Sequence, residues 1–264
     1  MGKSEIKRET LPGGDIMIWL SNGKMRRIES EQHKRDRAHF QQFDMFERGH
    51  KVPERVCILG PGINAVNEDA YKKITADYII AVNYAVLISQ CEAVKDKWPE
   101  GKKIDAWLVC EYDVDAVPWF KKMFKVLDVR RYFSTNTCVG VVDIPHPWDD
   151  DELYTFVPAN RAMKTRVFNP DECRNGRFHP DTTVVGVAVT VAAALGAKHI
   201  ELCGCDLMGN TYYDDTHRNL PQYTDVPHPN ADRLDSCLSY LMDKENIDIV
   251  TLSETILESP KRCL

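Results

Sequence analysis

Short apolar runs rich in β-branched residues alternate along most of this chain with stretches of helical periodicity, and that alternation excludes most architectures. The runs are VCILG (56–60), DYIIAVN (77–83), IDAWLVC (104–110), VRRYFS (129–134), VGVVDI (139–144), HIELCGC (199–205) and IDIVTL (247–252). Helical segments lie between most of them, the clearest being TTVVGVAVTVAAALG (182–196) and ADRLDSCLSYLMDKEN (231–246). Near-continuous apolar strands separated by helices predict an α/β fold, a mostly parallel Rossmann-like sheet with helices on both faces. Ligands of such sheets bind beyond the carboxyl ends of the strands.

The texture is different before residue 51. DIMIWL, SNGK and MRRIES read as a hairpin turning at Asn22 and Gly23, and a polar helix is expected from Ser30 to a stop at Gly49. Its Phe40, Phe43 and Phe46 recur at three-residue spacing, a stripe suited to packing on the main domain. Residues 1–50 are therefore expected to form an appendage, and 51–264 a nucleotide-binding α/β domain. Within that domain 145–181 lacks a strong period and is rich in Pro, Asp, Arg and Asn, with five arginines or lysines between Arg161 and Arg177. A stretch of that kind predicts an insert or lid over a site.

Composition narrows the partners. A net charge of −6 argues against broad binding to nucleic acid or anionic membrane and favours small molecules. No apolar stretch reaches the roughly 18 residues that span a bilayer, and MGKSEIKRETLPGG lacks a signal-peptide core. The nine cysteines are scattered, several of them inside apparent strands, as expected of a cytoplasmic protein.

The first run continues as RVCILGPGINAVNEDAYKKI (55–74), in which Gly60, Pro61, Gly62 and Ala65 satisfy G-x-G-x-x-G/A after a strand. Nicotinamide enzymes end their second strand in an acid that holds the ribose, whereas DYIIAVN ends in Asn83. An NAD(P)-dependent oxidoreductase is therefore an alternative reading rather than the first. No Gly-Lys-Ser/Thr follows, so the turn is not a P-loop. Two explanations of the glycines stay open: a phosphate or ribose approaching the backbone near a helix N-terminus, or a tight turn with no ligand.

The most informative stretch is TTVVGVAVTVAAALGAKHIELCGCDLMGN (182–210): a helix of small residues, a Gly-Ala-Lys turn, a buried strand, and Asp206 where that strand ends. Thr182 and Thr183 at the helix start are placed to cap it or to bind a phosphate. ILGPGINAV with IIAVN, and ALGAKHIELCGCD, resemble the bacterial sialyltransferases of glycosyltransferase family 42 and the related domain-of-unknown-function 115 group. Matching segments span roughly 55–85 and 182–257.

The resemblance implies a variant of the GT-A glycosyltransferase fold and transfer of a sugar from a CMP-activated donor to a glycan or small-molecule acceptor. It implies no metal requirement and a tendency to form homo-oligomers. Carried over, Gly60, Pro61 and Gly62 form the nucleotide turn, while Asn83, Gly204 and Asp206 line the nucleotide pocket. His228 matches the general base that precedes the last long helix. Tyr212 or Tyr213 stands in for a phosphate-contacting Tyr, with Tyr213 taken as the catalytic-site candidate. Pro61 stands where the family has Asn, Ile63 and Asn64 where it has Pro-Ser, and Met208 where it has Tyr. The related group also contains a pterin pyrophosphokinase, so a Mg–ATP-dependent pyrophosphokinase is a second alternative.

Asp113 and Asp115 in CEYDVDAV form Asp-x-Asp after a strand, a pattern able to hold Mg2+ or Mn2+ against a donor diphosphate, or to be a solvated turn. Cys203, Cys205, Asp206, His217 and His228 superficially suggest zinc. Alternation along a strand instead predicts both thiols on one face of the sheet, in the core, and no second cysteine pair has ligand spacing. His217, beside Asp214 and Asp215, is the rival base. Arg166, Arg174 and Arg177 are candidates for an anion grip, with solvated surface positions as the plainer reading.

Overall fold

Among the described residues nine short strands pair side by side, every adjacent pair parallel, in the order 261–262, 248–251, 199–203, 55–59, 78–82, 106–109, 130–134, 153–158 and 177–178. They belong to a computed structural model that describes residues 5–10, 16–20, 25–28, 52–109, 129–134, 153–158, 177–178, 183–208 and 227–263. The strands are β4 (Arg55–Leu59), β5 (Tyr78–Val82), β6 (Ala106–Val109), β7 (Arg130–Ser134), β8 (Leu153–Pro158), β9 (Arg177–Phe178), β10 (His199–Cys203), β11 (Asp248–Thr251) and β12 (Lys261–Arg262). The protein is α/β, as its alternating runs predict.

The chain begins this sheet at β4, builds outward to β9, and then returns to add β10 on the other flank of β4. Strand order reverses between β4 and β10, whose register pairs His199 with Arg55 and Cys203 with Leu59. At such a switch point the connections leave β4 and β10 toward opposite sides, which opens a crevice above their carboxyl ends.

Strands β4, β5, β6, β10 and β11 are covered on both faces. One buries Val56, Ile58, Ile80, Leu108, Ile200 and Ile249 under two helices, α2 (Val184–Ala194) and α3 (Ala231–Lys244). The other buries Cys57, Leu59, Ile79, Trp107 and Cys203 beneath Ala65, Tyr71, Tyr84 and Val94 from the connections after β4 and β5. Helix α2 is apolar almost all round because it lies against the sheet. Thr190 fits this setting by returning its hydroxyl to the Gly186 and Val187 carbonyls at 3.0 and 2.8 Å. Helix α3 is amphipathic and buries Leu234, Leu238 and Leu241. Among the described residues no helix is long and apolar enough to cross a membrane.

One local expectation needs correction. The helical pattern after the glycine turn yields only a single turn, α1 (Asn64–Asn67), followed by a 3-10 segment Ala70–Lys73. The stretch 145–181 contains strands β8 and β9, which extend the sheet beyond β7, and its other residues lie outside those described. VGVVDI (139–144), the helix expected from Ser30 to Gly49 and its three phenylalanines also fall outside them. The two arms of the expected N-terminal hairpin, β2 (Ile16–Leu20) and β3 (Met25–Ile28), pair antiparallel, with Ile16 opposite Ile28 and Trp19 opposite Met25, and the turn at Asn22 and Gly23 lies outside the described residues. An unforeseen strand, β1 (Glu5–Thr10), pairs antiparallel with β2 to complete a separate three-stranded sheet.

Thr183 caps α2: its backbone is extended and its hydroxyl accepts the Gly186 N–H at 3.2 Å. Its side chain is thereby committed to one of the orphan donors of the first turn. Thr183→Ala is expected to lower the unfolding free energy by about 1 kcal/mol, read as a shift in urea midpoint without a change in slope.

Candidate functional site

Two turns fold into one another at the switch point. Gly60 N–H donates to the Cys203 carbonyl at 2.7 Å and Gly62 N–H to the Gly204 carbonyl at 2.8 Å, so the pairing of β4 with β10 continues past both strand ends. A Cβ on Gly60 would stand 2.3 Å from the Gly204 carbonyl oxygen, and one on Gly62 would stand 2.5 Å from the Asp206 carboxyl carbon. On Gly204, whose φ is +64°, it would lie 2.6 Å from the Gly60 oxygen and 2.7 Å from the Ala65 methyl. The need for glycine is met here by the protein's own second turn. This agrees with the tight-turn explanation, and the two N–H groups are already occupied. Pro61, which has no N–H to satisfy, bridges them at a partly exposed position.

Gly204 also corrects the placement of the thiols. Strand β10 ends at Cys203 and the left-handed residue reverses the alternation. Cys203 packs with the Cys57 and Leu59 face, while Cys205 packs with the opposite face, its Sγ 3.7 Å from the Ile58 carbonyl. Burial pushes both thiols well up from their ordinary range.

Asp206 follows at 3% exposure. Its Oδ2 accepts the Asn64 N–H at 2.9 Å, and its Oδ1 is buried with no hydrogen-bond partner among the described residues. Burial, aided by Glu68 and Glu254 and opposed by the Asn64 N–H, pushes its carboxyl up to about 7. On the other flank of β4, Asn83 opens a 3-10 segment (Asn83–Gln90) with φ +49°. Its carbonyl accepts the Trp107 indole N–H at 2.6 Å, and its Oδ1 is likewise buried and unpartnered among the described residues. Two acceptor oxygens therefore flank the glycine turn, one on each neighbouring strand.

His228 reaches this edge through the backbone. Leu207, at φ +55°, turns the chain so that its carbonyl accepts the His228 N–H at 2.8 Å, and Met208 bridges to Pro227. The imidazole Nδ1 accepts the Asn230 N–H at 3.2 Å, just before α3 begins. The residue is exposed, and partial desolvation of the ring by its neighbours lowers its pKa from the ordinary histidine value, so the ring is neutral at pH 7.

The structure thus gathers Gly60, Pro61, Gly62, Gly204, Asp206 and His228 around one pair of turns, with Asn83 one strand away. Thr183 serves as a cap. Thr182, Asp113, Asp115, Tyr212, Tyr213, His217, Arg166 and Arg174 lie outside the described residues, and of Arg177 only the strand backbone is described. Among the described residues no three His, Cys, Asp or Glu side chains converge as a metal-binding group.

Sequence reading missed the groups that brace the turns: Asn64, Glu68, and Ser253 to Ile256 after β11. The available signal was topological, because the carboxyl end of β11 opens on the same edge as those of β4 and β10.

No family model and no curated protein matches the chain. It is similar to solved structures from Campylobacter jejuni. The monofunctional alpha-2,3-sialyltransferase Cst-I is 17% identical, with a TM-score of 0.46 over 77% of this chain and 78% of that one. The sialyltransferase CstII in complex with the substrate analogue cytidine-5'-monophosphate is 16% identical, with a TM-score of 0.45 over 79% and 86%. A variant of that enzyme in complex with CMP is 16% identical, with a TM-score of 0.47 over 75% and 80%. At this distance, function is read from the chain's own residues.

A carboxyl that ionises near 7 when folded, well above the ordinary aspartate value of about 4, leaves the folded state holding the extra proton between those limits. Its contribution to stability is present in full below about pH 4 and is lost as pH rises through about 7. Asp206→Asn is therefore expected to gain stability relative to the wild type across this window, measured as urea unfolding free energies at a series of pH values.

Proposed function

We propose that the protein is a nucleotide-sugar-dependent glycosyltransferase of the sialyltransferase type, using a CMP-activated donor. The observation that carries the reading is the pair of buried acceptors without a partner among the described residues, Asp206 Oδ1 and Asn83 Oδ1, on either side of the glycine turn at the switch point. Buried acceptors without a donor among the described residues, at the carboxyl edge of the sheet, suit a ligand that brings donors, and a nucleoside offers ribose hydroxyls and an amino group. The sequence resemblance at 55–85 and 182–257 supports the same assignment.

In this reading the nucleoside lies across the glycine turn and the sugar extends toward His228. The acceptor hydroxyl attacks the anomeric carbon, the bond from that carbon to the phosphate oxygen breaks, and CMP departs with the bonding pair. His228 takes the hydroxyl proton, a contribution of about 10²- to 10⁴-fold in such reactions. Its lowered pKa keeps it in the neutral form that a base requires. Because Nδ1 accepts the Asn230 N–H, the resting ring carries its proton on Nε2. Action as a base at Nε2 therefore calls for the other tautomer, at the expense of one hydrogen bond of about 1 kcal/mol.

Thermal unfolding with CMP, UDP, ATP and NADH, each with magnesium and with EDTA, tests the assignment. CMP at about a hundred times its dissociation constant is expected to add about 2.7 kcal/mol with or without EDTA. Stabilisation confined to Mg–ATP or to NADH would favour the pyrophosphokinase or the oxidoreductase instead. His228→Ala is expected to keep CMP binding and to lose about 10²-fold or more in transfer. Wild-type transfer should fall on the acid side with a midpoint below the ordinary histidine value, measured as kcat/KM against pH.

A further inference from the structure

Both turns of the crevice are held by one further element, the four residues that follow β11 and Leu252. Ser253 Oγ accepts the Gly204 N–H at 3.0 Å, and the Ser253 carbonyl in turn accepts the Thr251 hydroxyl at 2.6 Å. Glu254 is clasped by α1 and the residue after it. Its N–H donates to the two carboxylate oxygens of Glu68 at 3.0 and 3.2 Å, and its carbonyl accepts the Asn64 side-chain amide at 3.2 Å. Thr255 Oγ1 donates to the Cys205 carbonyl at 2.8 Å and accepts the Leu257 N–H at 3.3 Å. Ile256 N–H donates to the Asp206 carbonyl at 3.3 Å.

Asn64 joins the two halves of this arrangement. Its backbone N–H holds the Asp206 carboxylate while its side chain holds the strap. The turn so braced is a strained one, with Gly204 at φ +64° and Leu207 at +55° on either side of Cys205 and Asp206. A γ-branched residue in the left-handed region persists only where its surroundings impose it. The contacts that impose it here are the His228 N–H on the Leu207 carbonyl and the strap on residues 204–206.

We propose that Thr255, with Ser253, is a positioning residue of the crevice, fixing through Cys205 and Gly204 the turn that aims the Asp206 carboxyl at the ligand. The inference rests on the nucleotide-binding reading only for what the ligand is. Thr255 touches no reacting atom; it acts through the backbone carbonyls of Cys205 and, at 3.5 Å, of Asp206. Valine at this position keeps the shape, removes the donor to Cys205 and strands the Leu257 N–H, whereas serine keeps the hydroxyl.

Two readouts on full-length Thr255→Val and Thr255→Ser test it. The first is the titration of the Asp206 carboxyl by carbon NMR, which needs no ligand and reports its distance from the Asn64 N–H, Glu68 and Glu254. The second is the dissociation constant for CMP. Thr255→Val is expected to displace the Asp206 midpoint by about half a pH unit or more and to weaken CMP about tenfold, equivalent to about 1.4 kcal/mol. Thr255→Ser should restore both. Ser253→Ala, which removes the acceptor for Gly204, should displace the same midpoint and keeps the test open if the valine variant does not fold. Wild-type titration in Thr255→Val and Ser253→Ala, or a serine variant no better than valine, overturns the proposal. A wild type that ignores CMP while the titration moves and is rescued would sink the CMP assignment and leave the positioning role standing.

Discussion

Everything at the carboxyl edge depends on how closely β4 and β10 approach after they have ceased to be strands. Three glycines, Gly60, Gly62 and Gly204, bring two turns within hydrogen-bonding distance where side chains would hold them apart. Asn64 then reaches Asp206, and Leu207 reaches His228. Moving either turn outward by the width of a methyl group would break the two Gly N–H bonds and the Asn64 bond with them. The chemistry of the crevice is a consequence of that contact.

The two ends of the sheet handle charge differently. Toward the amino edge Glu201 is 2% exposed yet well satisfied, accepting the Thr75 and Ala76 N–H groups at 3.0 and 3.1 Å, the Arg55 guanidinium at 3.3 Å, and also the Thr75 hydroxyl. Asp206, nearly as buried, has one donor and two acidic neighbours among the described residues. A satisfied buried carboxylate closes a structure, whereas one left short of donors attracts them. The contrast between these two residues on one strand and its turn separates architecture from site.

How much of this could be read from sequence varies with the physics behind each element. Buried parallel strands such as YIIAV and HIELC are visible because both faces require apolar residues. LYTFVP at β8 is hidden in the sequence because its neighbours are polar and irregular. The glycines were visible as a turn, but their spacing does not say whether a ligand or another turn lies against them. That needs the switch point, which pairs residues far apart in the chain. The same applies to Cys203 and Cys205: period-two alternation puts them on one face, and one left-handed glycine between them undoes it. The bracing role of Ser253 to Ile256 was hidden altogether, because a Ser-Glu-Thr stretch after a strand looks like an ordinary solvated loop.

The span between the two turns bears on how the molecule comes into being. The bond from Asn64 to Asp206 joins residues 142 positions apart. Parallel pairing across such a span must overcome the loop-closure entropy before it gains any contact, and contacts of that separation form slowly. During synthesis β4 and β5 leave the ribosome long before β10 exists. Until β10 arrives, the flank of β4 that will hold Gly204 is an open, hydrophobic strand edge. The feature that makes the crevice is thus also the molecule's exposure to misassembly, and completion of the site coincides with closure of that edge.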